Sequence, residues 1–255
     1  MAKYYFLIAA FPPLTLSTPP EISFQEMKEL LELNLTLKDM HEVERLLRPI
    51  DLYNIHALWL GEPLDGKGAF SAKELEEELL VRDALPSYLV EYLERYESTA
   101  ERLRYFSSLY ASLYREEQFK QKGFLFKYYR FERELRLILT ALRANRAGRD
   151  LVRELQFEDP SDPFVAEILA QKGAPEYLPP REFEDLKTLF VDNSSDPQKL
   201  HRAILEYRFN KIEEMEENQD FSMDRVLAYI ARLVLAESLV ELDPEKGKEQ
   251  LGRYG

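Results

Sequence analysis

Between Lys127 and Leu151, the apolar residues Tyr128, Phe131, Leu135, Ile138, Leu139 and Leu142 recur at helical spacing. A strand would send alternate residues to opposite faces, whereas a helix gathers this series into one stripe. The spacing predicts an amphipathic helix over KYYRFERELRLILTALRANRAGRDL, its stripe buried in a seam. Arg133, Arg136, Arg143 and Arg146 lie along one flank of that stripe. From Arg115 to Arg153 there are 11 Lys or Arg against 5 Asp or Glu, a charge of +6 in a chain whose total is −13. The positive charge is therefore concentrated on one helix and its approaches. Two roles are open to the four arginines: ion pairs with acidic helices that hold lobes together, or a stripe on which a partner docks.

The rest of the chain is punctuated by helix starts. Ser23 to Glu26 forms a capping box with Ile22 and Met27 as its hydrophobic staple, opening a helix to about Leu33. Thr36 to Asp39 resembles a second cap and opens a helix through Leu47, which Pro49 is expected to stop. The following DLYNIHALWLGEPLDGKGAF holds the single Trp, Trp59, and ends in a Gly- and Pro-rich loop that reads as a seam between lobes. Ser71 to Glu74 repeats the capping box, and PPREFEDLKTLF from Pro179 is a looser echo with Pro180 at the first helical position. Three similar starts hint at repeated helical lobes, with boundaries near 1–68, 69–159 and 160–255.

Between these echoes, Tyr92, Tyr96, Phe106, Tyr110 and Tyr114 stand at helical spacing and read as core. Further on, Asp196-Pro197 starts a helix. Ser222 caps a last one, apolar on nearly every face from Val226 to Leu242, that Asp243-Pro244 ends; it should be the most buried. The opening YYFLIAAF runs into Pro12-Pro13 and lacks a small-residue cleavage site, so it reads as a buried strand or first helical turn of the mature protein. Sustained period-two alternation is missing throughout. The expected fold is all-α, a set of helical bundle lobes.

Composition narrows the function. A pI near 4.9 opposes sequence-independent binding to nucleic acid or anionic lipid, both of which demand clustered Lys and Arg. With no cysteine there is no disulfide framework, thiolate metal site or cysteine nucleophile, which suits the cytoplasm. No run approaches the roughly 18 to 20 apolar residues of a membrane-spanning helix.

Motifs for chemistry are equally sparse. His41, His56 and His201 are far apart and no His-Glu-x-x-His occurs, so no metal is expected. The glycines form no phosphate cradle and no nucleophile elbow, and no cofactor is expected. Lys122 to Tyr129, KGFLFKYY, resembles an RNA-recognition octamer, but Leu125 and Lys127 replace its small residue and its valine, and the flanks are helical.

Glu134 to Gly148 resembles a helix of the C-type subunit of V-type and archaeal-type ATPases (d-type in eukaryotes), with Leu137, Ala141 and Asn145 where that family has Asn, Ile and Lys. The helix from Arg225, with Ala228-Tyr229 and Arg232, is similar to the second internal copy of that family. The opening Tyr4-Tyr5-Phe6-Leu7-Ile8-Ala9-Ala10-Phe11-Pro12-Pro13-Leu14 resembles that of a bacterial family encoded among V-type ATPase genes, a likeness expected to extend over the whole chain. The resemblance implies a non-catalytic helical funnel of three lobes, held at the inner membrane through the ATPase complex. It would be seated on the membrane rotor ring and receive the central-stalk subunits, with no active site or cofactor of its own. The alternative from the residues is a free-standing helical adaptor that binds a protein partner through the basic stripe.

Overall fold

The computed structural model describes residues 4–120, 122–216 and 221–242. Among them 70% are helical and no strand occurs, so the fold is all-α. The helices are α1 (Tyr5–Ala9), α2 (Phe24–Asn34), α3 (Leu37–Leu60), α4 (Ala72–Val81), α5 (Ser87–Arg95), α6 (Thr99–Arg104), α7 (Phe106–Lys120), α8 (Gly123–Arg146), α9 (Leu151–Glu154), α10 (Pro163–Leu169), α11 (Glu184–Asn193), α12 (Pro197–Glu214) and α13 (Met223–Glu241). The opening is helix α1, and only half of it is buried: Leu7 and Ile8 face the core while Tyr5 and Phe6 are exposed.

Side-chain caps set many of the starts. Ser23, Thr36 and Ser71 each accept from the backbone N–H three residues on, and the Glu or Asp there reaches back. A fourth box, Ser98 with Glu101, divides the aromatic stretch into α5, α6 and α7. Asp162 and Asp196 cap α10 and α12, each with proline in the first turn. The looser echo at Pro179 behaves differently: Pro180 leads only into a 3-10 turn over Arg181–Phe183 with no side-chain cap, and α11 begins at Glu184.

Two helix boundaries depart from expectation. Helix α3 does not stop at Pro49 but runs through it to Leu60, where Gly61 turns left-handed at φ 72°. Proline has no N–H, so the Arg45 carbonyl one turn earlier loses its helical donor. The Tyr129 hydroxyl on α8 donates to that carbonyl, so a tertiary bond replaces the missing helical one. Helix α8 starts four residues before Lys127 and ends at Arg146, short of Leu151, with left-handed Gly148 just beyond.

The buried apolar side chains form two clusters. The larger takes Leu7 and Ile8, the inner faces of α2, α3, α5 and α7, the first part of α8 through Tyr129, and α13. The smaller takes α8 from Phe131 to Leu142 with Leu155, Val165, Ile168, Tyr177, Phe183, Leu186 and Phe190. Helix α8 is divided between them along its length. Helix α12 is divided by face, with Leu205, Phe209 and Ile212 in the larger cluster and Ile204 and Tyr207 in the smaller. As the apolar run from Val226 predicts, α13 is central: Tyr229 and Leu233 are both buried, and the Tyr229 hydroxyl donates to the Pro12 carbonyl at 2.8 Å. The Asp243-Pro244 stop falls outside the described residues.

The loop after Trp59 is fastened to α3. The Asn54 amide donates to the Asp65 carbonyl at 2.8 Å and accepts from the Asp65 N–H at 2.7 Å. Lys67 reaches Glu241 on α13 at 2.8 Å and Asp65 at 2.9 Å. Burial lowers the Lys67 pKa, but these two carboxylates outweigh it and leave the ammonium above its ordinary value.

Candidate functional site

Four helices wall an open groove. Pro49, Ile50 and Tyr53 of α3 form one side, Tyr110 and Tyr114 of α7 the floor, and Glu132, Arg136, Leu139 and Arg143 of α8 with Ile204 and Arg208 of α12 the other side. It encloses about 320 Å³ and continues past Tyr53, Asp65 and Arg208 into a second space of about 650 Å³ bounded by α13. Helical spacing places Arg136 and Arg143 on the same wall, two turns apart.

The four arginines singled out by sequence divide here. Arg133 is held between Glu158 at 3.5 Å and Asp162 at 3.1 Å, and is only 12% exposed. Arg136 bonds to the same Glu158, whose side chain is 6% exposed, and its guanidinium lies over the Tyr114 ring at 5.5 Å. These two arginines therefore tie α8 to the segment between α9 and α10. Arg146 donates to the Ser194 carbonyl after α11. Arg143 is exposed on the groove wall, and its guanidinium has no ion pair or hydrogen bond among the described residues. Burial of its inner part, and then Arg149, draws its pKa below the ordinary value, yet an arginine remains charged at neutral pH.

The other charges lining the groove are largely matched. Arg208 donates to Glu132 at 2.9 Å; burial works against its charge, but the Glu132 carboxylate outweighs that and raises its pKa. His201 is drawn below its ordinary pKa by burial, then by Arg208 and Arg143, so it is neutral at pH 7. The Tyr110 hydroxyl is pushed up to about 12 by burial. Among the described residues the groove is lined by one unmatched cation, Arg143, and by exposed Tyr53. Its chemistry suits binding of an anionic or aromatic group.

Sequence reading missed most of these partners. Arg208, Lys67, Glu241 and Tyr53 come from segments distant in the chain, and helical periodicity does not encode which flanks will meet. It also missed Arg48 on α3, which pairs with Glu117 on α7, a carboxylate only 1% exposed. In the KGFLFKYY stretch, Phe124, Leu125, Tyr128 and Tyr129 are buried in the larger cluster, so those aromatics are not presented for stacking on bases. Among the described residues no group of three or more His, Asp or Glu is placed to hold a metal ion, and no helix is long and apolar enough to cross a membrane.

Comparison with known proteins gives relatives matched along nearly their whole length. An uncharacterized protein of Chlamydia muridarum is 33% identical over 98% of this chain and 96% of its own. An uncharacterized protein of Chlamydia trachomatis is 32% identical, and one of Chlamydia pneumoniae 31%, with the same coverage. No solved structure matches. The family pattern described as "Protein of unknown function (DUF2764)" matches residues 1–253, and the chain belongs to that family.

Proposed function

We propose that this protein is a non-catalytic component of a V-type ATPase or ATP synthase, similar to its C-type subunit and coupling the central-stalk subunits to the membrane rotor ring. The reading draws on the likeness of the Tyr4 to Leu14 opening and of α8 to those families, and not on a shared solved fold.

The observation that carries it is the position of α8. At 24 residues it is about 36 Å long, and it is continuous through both apolar clusters. A load applied to one cluster passes to the other along a hydrogen-bonded rod, not across a flexible linker. Arg133 and Arg136 brace the rod to Glu158 and Asp162, against rotation about its axis. Torque transfer asks for a body of this kind, with partner surfaces at its edges.

Arg143 and the groove favour a second reading, a free-standing adaptor that takes an acidic segment of another protein. The two differ in the partner. Affinity-tagged full-length protein, expressed in its own cell, should co-purify with the ATPase headpiece and stalk subunits. Recovery of a different stoichiometric partner, with no ATPase component at any salt concentration, would replace the first reading with the second.

A further inference from the structure

A third, separate cavity lies between α3, α4 and α5. It encloses about 240 Å³, with walls made by Leu52, Ile55, Phe70, Leu75, Leu85 and Leu89. At one end, the Asp51 Oδ2 and the Tyr88 hydroxyl are both buried without a hydrogen-bond partner. These residues are 5% and 3% exposed, and buried side-chain polar atoms left unpaired are uncommon in folded proteins. The other Asp51 oxygen is occupied: it accepts from the Ala69 N–H at 2.8 Å and the Phe70 N–H at 3.4 Å. A Cβ on Gly68 would stand 2.6 Å from that oxygen, so glycine is what lets the loop approach closely enough to hold the carboxyl in place.

Size and charge then define an occupant. A dry apolar cavity of about 150 Å³ takes up benzene, so this one has room for a ring and a short polar arm. Arg48 lines the cavity, but its charge is matched by Glu117. His41 and Glu44 at the exposed mouth bond to each other at 2.8 Å. Asp51 is left as the lining carboxyl without an ion pair, and Tyr88 on the same cavity can donate or accept.

We infer that this cavity is a binding site for a small apolar amine, its ammonium on Asp51 Oδ2 and Tyr88 Oη and its hydrocarbon body against the leucines. Binding to Asp51 satisfies two atoms that the fold leaves unpaired, and a neutral or anionic analogue cannot do this as well. The site is independent of the groove and of the ATPase reading.

The test is calorimetric titration of the full chain with phenethylamine, phenethyl alcohol and hydrocinnamate, followed by a crystal structure of the amine-soaked protein. The amine should bind in preference to the other two, with a roughly tenfold loss in Asp51→Asn and a smaller loss in Tyr88→Phe. The second variant leaves the Ala69 and Phe70 contacts intact, so its outcome does not depend on how well Asp51→Asn folds. Failure of the amine to bind, equal binding of the alcohol or the carboxylate, indifference of the well-folded Tyr88→Phe protein, or ordered water alone in the cavity would each overturn the assignment.

Discussion

The two halves of α8 contribute different side chains to the two apolar clusters. Up to Tyr129 the helix contributes aromatic rings to a cluster rich in tyrosine, where Tyr114, Tyr128 and Tyr129 pack edge to face. From Leu135 to Leu142 it contributes mainly aliphatic side chains, and the charged groups stay at the rim, in the arms of Arg133 and Arg136. In the first half, a polar atom must find one particular partner, as Tyr129 finds the Arg45 carbonyl whose helical donor Pro49 lacks. In the second half, packing supplies the attraction and the arginines fix the angle. A buried hydrogen bond specifies position more sharply than an aliphatic contact does. The first half should therefore be set by register and the second by its braces.

The largest expected effect falls on those braces. Arg136→Glu places a like charge against the nearly buried Glu158 and should cost about 3 to 5 kcal/mol in thermal or urea unfolding, detaching the segment before α10. A loss no greater than a surface change would mean that the second half is not braced in this way.

A second contrast lies in pH. Burial raises the Asp51 carboxyl from 3.8 to about 7, with the Phe70 and Ala69 N–H groups, Arg48 and Lys28 opposing it only in part. Because the folded value lies above the unfolded one, its stabilising contribution is fully present below about pH 4 and is lost as pH rises through 7. Asp51→Asn should remove a pH-dependent loss of up to about 4 kcal/mol across that window, measured by chemical denaturation at successive pH values. Ile138 in the smaller cluster carries no titratable group, so Ile138→Ala should leave the pH profile unaltered.

The cores themselves can be compared by cavity formation. Leu233→Ala in the larger cluster and Ile138→Ala in the smaller should each cost about 2 to 5 kcal/mol, since both side chains are fully buried. If α8 couples the clusters, calorimetry will show one transition moving in both variants. Two separated transitions would break the claim of a continuous rod. The smallest effect of this set belongs to Tyr129→Phe, about 1 kcal/mol through loss of the bond to Arg45. In a Pro49→Ala background the cost should shrink, because the new N–H can serve that carbonyl, and a double-mutant cycle reads the difference.

Much of the fold was legible where a local rule decides it. The capping boxes at Ser23, Thr36 and Ser71, the apolar run of α13 and the stripe of α8 each follow from neighbours in sequence. Pro49 was misleading because its missing donor is replaced by Tyr129, 84 positions beyond the Arg45 carbonyl, a tertiary event that no local signal reveals. The site was legible only in part. Spacing placed Arg133, Arg136, Arg143 and Arg146 on one flank, but which of them would meet Glu158, Asp162 or Ser194 depends on how the chain turns after Gly148. That Asp51 and Tyr88 would line one cavity was invisible for the same reason.

The most direct test of the account separates the arginine that remains outside the braces. Arg143→Glu should change unfolding stability by no more than about 0.5 kcal/mol, because its guanidinium has no ion-pair partner among the described residues. Binding to purified central-stalk subunits, measured for wild type and Arg143→Glu from low to high salt, should be salt-sensitive in the wild type and markedly weakened in the variant. Wild-type protein that binds none of the stalk subunits at any salt would contradict the ATPase reading and leave the groove to the adaptor; an Arg143→Glu protein that binds them as tightly as wild type would contradict a stalk contact at this groove.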